Sequence, residues 1–312
     1  MSNFFILSFS RSGSTLLGNI LNNNKSIKLI NESWIIPVVS TLNWKKLNYS
    51  KQKYILHLYN NSQKIYLDRK IINKKICVNR TISFEEFYNK ILEEKEKKVG
   101  EKNPSNTLHY KFLKENIKNP KFIFLIRNPL SISNSYRTRW FKKRKENYFL
   151  YRVSVVIKTY FTCYKNLYKN KDVLTIRYED LVKNPTIEIK KICSHINIDF
   201  YEEMMKNDEK IIFNKENQEH HKKIKEKINT KNLNNYKKEL KESQINDLSY
   251  LLRKEISFLG YKEELSINPT KKLLTIEKRV SKRIKYNKSK TKKNILKFKY
   301  YMFYIKHIFY GQ

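Results

Sequence analysis

The sequence predicts an α/β fold in three layers, with a central parallel sheet between helices. Three observations point to it. Short apolar runs at 4–7, 27–30, 121–126 and 173–176 have the length and composition of buried strands. Segments with helical spacing lie between them, as with Leu16, Leu17, Ile20 and Leu21. Strands that alternate with helices build parallel sheets covered on both faces. The chain has 312 residues, 40% of them hydrophobic, enough for one large domain of this kind with added helices.

The first run, Phe4 to Leu7, enters a turn of small polar residues, Ser10-Arg11-Ser12-Gly13-Ser14-Thr15, and then a helix. Such a turn aims backbone N–H groups at one spot on the positive end of the helix dipole, which makes an anion site. Arg11 adds a full charge, and Gly13 allows close approach to the backbone. The turn reads as a cradle for a phosphate or sulfate ester. It is not the G-x-x-x-x-G-K-[ST] loop of nucleotide triphosphatases, because it has one glycine and no lysine before the hydroxyl pair. The plainer alternative is a Ser-rich N-cap on a surface helix.

Further elements follow in order. Ile27 to Ile30 is a strand ending at Asn31-Glu32, and 33–42 reads as a helix containing Pro37. Residues 43–98 read as a helical insert, clearest at Phe84, Phe87, Ile91 and Leu92. Val99 to Pro104 is a short strand and turn, followed by a helix over 108–117. Lys121 to Ile126 (KFIFLI) is the strongest strand signal. It runs into Arg127-Asn128-Pro129 and a helix to about Trp140. Next come an aromatic-rich helix over 148–168, a strand at Val173 to Ile176, the segment Arg177-Tyr178-Glu179-Asp180, and a helix from Val182 to Ile196. Residues 265–312 form a basic, aromatic extension beyond a domain spanning 1–264. The extension suits either an anionic lipid surface or a terminal helix packed on the domain with solvated lysines.

A second anion site is expected where KFIFLI ends. Arg127 at the strand end and Ser135 and Arg139 on the next helix offer two guanidinium groups and a hydroxyl, which suit a terminal phosphate. Two anion sites at strand ends fit a nucleotide with phosphates at both ends.

The net charge of +37 favours anionic ligands, although Lys, Asn and Ile are the residues an AT-rich genome over-encodes, so nucleic acid is an unlikely partner. The three cysteines, Cys77, Cys163 and Cys193, are scattered, and His220-His221 lacks metal-ligand spacing, so no metal is expected. With no targeting segment and no apolar run of membrane-spanning length, the expectation is a cytoplasmic protein, with peripheral membrane contact through the extension as an option.

SRSGSTLL at 10–17, GEKNP at 100–104, FIFLIRNPLSISNSYRTRW at 122–140 and RYEDLVKNP at 177–185 together resemble sulfotransferases that use 3′-phosphoadenylyl sulfate (PAPS). The likeness covers about residues 3–200 and is nearest the protein-tyrosine sulfotransferase and related bacterial branch. It implies a P-loop-type three-layer α/β/α fold and PAPS as co-substrate. By position, Arg11 with Ser12, Gly13, Ser14 and Thr15 would hold the 5′-phosphosulfate. Arg127, Ser135 and Arg139 would hold the 3′-phosphate, and Tyr178 would lie near the nucleotide. Lys102 matches the lysine of the GEK motif, and Glu32 matches the branch's catalytic glutamate. The sequence departs from the pattern at Ser10, where proline is usual, and at 229–236, where a tryptophan beside a basic stretch is common.

The reaction this implies moves a sulfuryl group to a hydroxyl of a carbohydrate, peptide tyrosine, lipid or small molecule. Glu32 is the candidate base, with His109 second. Arg11 and Lys102 would stabilise the moving charge without a metal. The competing readings are a P-loop kinase or nucleotide hydrolase, and a non-enzymatic basic protein that binds nucleic acid or membrane.

Overall fold

The computed structural model describes residues 3–33, 35–40, 44–55, 79–92, 97–206, 230, 233–261 and 269–290. Cys77, His220, His221, half of the predicted insert, residues 229, 231 and 232, and the aromatic tail from Ile295 to Phe309 lie outside them.

Five strands form one sheet: β1 (Phe4–Ser8), β2 (Ile27–Asn31), β3 (Lys98–Lys102), β4 (Lys121–Ile126) and β5 (Val173–Arg177). Their order is β2-β3-β1-β4-β5, and every neighbouring pair is parallel. The chain winds from central β1 to one edge through β2 and β3, then to the other through β4 and β5. The winding direction changes at β1, and open α/β sheets bind ligands outside the strand ends at such a point.

The helices used below are α1 (Ser14–Asn22), α2 (Ile35–Val39), α3 (Phe84–Leu92), α4 (Tyr110–Asn116), α5 (Pro129–Arg139), α6 (Glu146–Lys165), α7 (Tyr178–Lys183), α8 (Pro185–Ile196) and α9 (Lys271–Lys290). Alternation along the strands divides the core between them. Phe5, Leu7, Phe122, Phe124 and Ile126 pack with residues of α3, α4 and α6, including Phe87, Leu113 and Val153. Phe4, Ile6, Ile123 and Leu125 pack with Leu17 and Ile20 of α1 and Ile189 and Ile192 of α8. Both faces of the sheet are therefore covered, which is why the adjacent inner strands β1 and β4 are almost wholly apolar.

Several predicted boundaries move, each for a local reason. The helix expected over 33–42 is the short α2, with Ser33 extended before it. The helix expected over 108–117 starts earlier, as a 3-10 helix from Pro104 to His109 that continues into α4. Asn103 caps that turn by accepting from Ser105 N–H at 2.9 Å, and Pro104 supplies a preset first position. The helix expected from Val182 to Ile196 is two helices, α7 and α8, and the first already begins at Tyr178. Pro185 disfavours helical backbone at Asn184, whose φ and ψ are −130° and 60°. In the extension, α9 buries Leu273, Ile276 and Val280 in the larger core beside α6 and leaves Lys271, Lys272, Lys278, Lys282 and Lys285 exposed.

Gly100 in β3 allows the close packing of β1. A Cβ there would lie 2.1 Å from the buried Phe4 ring. Gly100→Ala is expected to destabilise the fold by about 1–3 kcal/mol through overpacking, read as a lower midpoint in urea unfolding with an unchanged slope.

Candidate active site

β1 stops at Ser8, and its end is clamped from the side. Thr107 Oγ accepts from Ser8 N–H at 2.9 Å and donates to Ser8 C=O at 3.0 Å. The chain then folds tightly. Ser12 N–H and Ser12 Oγ both donate to Phe9 C=O, at 3.2 and 2.7 Å. Ser12 therefore closes the turn from inside. Gly13 is the residue before α1, at φ 91°, and no side chain caps the helix there. The Ser-rich cap does not form, so the leading N–H groups of α1 keep their donor capacity for an anion. Ser14 and Thr15 make its first turn.

The RYED segment packs directly on this loop. A Cβ on Gly13 would meet Tyr178 Cδ2 and Cε2 at 2.4 Å. The same ring lies under Arg127, whose guanidinium carbon is 4.3 Å from its centroid. Arg127 Nη1 donates to Arg11 C=O at 3.3 Å, while its buried Nε has no hydrogen-bond partner among the described residues. Asn128 caps α5 by accepting from Leu130 N–H at 2.8 Å, and its own N–H donates to Glu179 at 3.0 Å. Glu179 also accepts from Tyr261 Oη at 2.7 Å. These bonds fix the strand end that carries Arg127.

Arg11 reaches along α5. Its Nε donates to Ser135 Oγ at 3.0 Å, and its guanidinium carbon lies 5.7 Å from the centroid of Trp140. Arg139 lies 5.3 Å from the same indole. Ser135, expected beside Arg127, is thus bonded to Arg11, and the three arginines lie near one another around the loop. Burial first, then Arg139 and Arg127, draw the Arg11 guanidinium down to about 10, against Tyr136 and Glu32. Burial also lowers Arg139, opposed by Glu32.

On the other side of the loop, Lys102 Nζ donates to Glu32 Oε1 at 2.7 Å. The lysine side chain is 2% exposed and the glutamate 41%, so the ammonium is enclosed and the carboxylate opens to solvent. Glu32 N–H donates to Lys102 C=O at 2.8 Å, which extends the β2–β3 ladder by one bond. Glu32 then turns the chain at φ 54°. Positive φ is costly outside glycine and asparagine, and such strain gathers at functional sites. Among the described residues, four non-glycine positions have positive φ. Two are asparagines, and the others are Arg11 and Glu32. His109 instead shares a 2.7 Å hydrogen bond through Nδ1 with Ser40 Oγ.

Residues singled out from separate strand ends thus meet at the switch point of the sheet. Thr107, Glu101, Trp140 and Glu179 complete the surroundings and were not assigned roles from the sequence. Glu101 and Glu179 lie inside the GEKNP and RYEDLVKNP segments, so their positions carried a signal. Thr107 carried none, since a clamp across 99 residues leaves no local pattern. Among the described residues no cluster of three or more His, Cys, Asp or Glu could hold a metal, and no helix is long and apolar enough to cross a membrane.

A parallel sheet with an uncapped helix N-terminus, three arginines and a lysine–glutamate pair at its switch point defines a group-transfer enzyme for anionic donors. A family model described as "Sulfotransferase family" matches residues 3–203, about two thirds of the sequence. The chain belongs to the sulfotransferase family. Its fold is similar to that of the sulfotransferase domain of the Synechococcus PCC 7002 olefin synthase, at a TM-score of 0.58 and 20% identity over 84% of this chain and 96% of that one. Mouse sulfotransferase SULT7A1 complexed with PAP aligns at a TM-score of 0.46 and 16% identity over 82% and 84% of the two chains. No curated protein matches in sequence.

Gly13 and Tyr178 share one space, so substitutions there should couple. Gly13→Ala is expected to lower the thermal midpoint through both its φ and the ring contact. Adding Tyr178→Ala relieves only the contact, so the double variant should be more stable than the sum of the single losses by about 0.5–3 kcal/mol. Strict additivity in a double-mutant cycle would show that the ring is not the obstacle.

Proposed function

We propose that this sulfotransferase takes PAPS as its donor and transfers the sulfuryl group to a hydroxyl acceptor. The observation that carries the reading is that the end of β4 reaches the Arg11 loop, with Arg127 Nη1 donating to Arg11 C=O at 3.3 Å and the two arginines close enough to feel each other's charge. The residues suit this donor: an uncapped helix end, a glycine packed too closely for any Cβ, and a buried Arg127 Nε without a partner. The Arg11 loop would hold the 5′-phosphosulfate. Arg127 would hold the 3′-phosphate, with Ser135 and Arg139 reaching it from the Arg11 side, where Ser135 is bonded to Arg11 Nε, and Tyr178 would support the nucleotide. When bound, PAPS supplies the sulfuryl group and departs as 3′-phosphoadenosine 5′-phosphate.

The chain's own residues do the rest. Glu32 has Oε1 on Lys102, which leaves Oε2 to accept the proton of an acceptor hydroxyl. Lys102 keeps that carboxylate oriented and places a cation where charge develops on the bridging oxygen. Arg11 supplies a second cation at the loop. Transfer of this kind depends mainly on alignment and charge stabilisation. His109 is the weaker base candidate, because its Nδ1 is bonded to Ser40 Oγ, away from the Lys102 pair.

The family places enzyme function ahead of the non-enzymatic reading of the lysine-rich extension. We assign the chain to the cytoplasm, with contact between the basic face of α9 and anionic membranes as a secondary role. Liposomes containing phosphatidylserine should sediment the chain in a salt-sensitive way if that role exists.

The acceptor is to be found by a screen of sugar, phenol and lipid alcohols with sulfur-labelled donor. With that acceptor, Glu32→Gln should retain affinity for 3′-phosphoadenosine 5′-phosphate and lose about a hundredfold or more in turnover. Unchanged turnover would remove Glu32 from the role. Arg127→Ala should weaken calorimetric binding of 3′-phosphoadenosine 5′-phosphate far more than binding of adenosine 5′-phosphate. Equal weakening of both would refute the 3′-phosphate assignment.

A further inference from the structure

Glu101 precedes Lys102 in β3, so the two side chains leave opposite faces of the strand. It is wholly buried. Ser33 Oγ donates to its Oε1 at 2.7 Å, and Tyr88 Oη donates to its Oε2 at 2.6 Å. Burial pushes this carboxyl above the ordinary range, against the pull of hydrogen bonds from Tyr88, Ser33 (side chain and backbone) and Asn106. An acid enclosed this way costs stability relative to an apolar residue of similar volume, so its position calls for an explanation.

Ser33 supplies one. It follows Glu32 directly, and its hydroxyl also accepts from Ile35 N–H at 3.3 Å, at the start of α2. Glu32 itself is in the left-handed region, which a residue with a Cβ occupies only when its surroundings hold it there. One hold lies on its own N–H, through the ladder bond to Lys102 C=O. The other lies on the next residue, through Ser33 and Glu101.

We propose that Glu101 is a positioning residue for sulfuryl transfer, which through Ser33 holds the left-handed turn that sets Glu32 against Lys102. The inference rests on Glu32 acting as the base. Tyr88 is its internal control. It binds the other oxygen of the same carboxylate from α3 and does not touch the turn through that bond.

Amide hydrogen exchange on the full chain reads the turn without any acceptor, and donor turnover with the acceptor from the screen reads its consequence. Ser33→Ala and Glu101→Gln should speed exchange at the Glu32 amide about tenfold or more relative to the rest of β2. They should lower kcat by about tenfold to a hundredfold while leaving the KM for PAPS near wild type. Ser33→Thr keeps the hydroxyl and should restore both. Tyr88→Phe should lower the thermal midpoint and leave the Glu32 amide and kcat close to wild type. Unchanged exchange at Glu32 in Ser33→Ala overturns the proposal. So does a Tyr88→Phe variant that loses kcat as much as Ser33→Ala does, since that pattern is general destabilisation. If Glu101→Gln fails to fold, the Ser33 and Tyr88 variants decide alone. Full turnover in Glu32→Gln, with the Glu32 amide still loosened by Ser33→Ala, refutes the base and leaves the turn geometry standing, so the two failures are distinct.

Discussion

Crowded positive charge is the constraint this site answers. Arg11, Arg127 and Arg139 gather around one loop, and like charges at close range oppose one another unless the fold holds them. The low value of Arg11 records that opposition together with its burial. Each cation is restrained by a neighbour that does not neutralise it. Arg127 lies on the face of Tyr178, Arg11 is bonded to the Ser135 hydroxyl, and Arg139 lies beside Trp140. Aromatic faces and hydroxyls orient a guanidinium while leaving most of its charge for a ligand. Glu32 is the acid at hand, and it is engaged with Lys102.

Much of this was legible in the sequence, because the residues that carry it sit at strand ends. KFIFLI is predicted and found as the same six residues, and Arg127 is the residue that follows. The small-residue turn after β1 could be read as an anion cradle from Arg11, Gly13 and the helix behind them. Parallel pairing followed from strands that alternate with helices along the chain. Glu32 and Lys102 were assigned through a resemblance, and their 2.7 Å contact is a property of the β2–β3 register that no local pattern states.

What stayed hidden is long-range or depends on backbone shape. Nothing in the stretch from 182 to 196 except Pro185 marked the break between α7 and α8. The left-handed turns at Arg11 and Glu32 fall on residue types that rarely adopt them, so propensity argued the other way. Ser135 could be placed on a helix face from its spacing. That it meets Arg11 rather than Arg127 depends on how α5 lies across the sheet. The part Glu179 plays also rests on a distant partner, Tyr261.

The clamp of Thr107 on Ser8 has a mechanical consequence. Lys102 and Thr107 belong to one stretch, joined by Asn103 and the turn it caps. One end of that stretch grips the carboxylate side of the cleft and the other grips the root of the anion loop. It works as a fixed spacer between two halves that come from different strands. Because each end is held by hydrogen bonds and the turn between is capped, this one stretch sets the distance between the two halves.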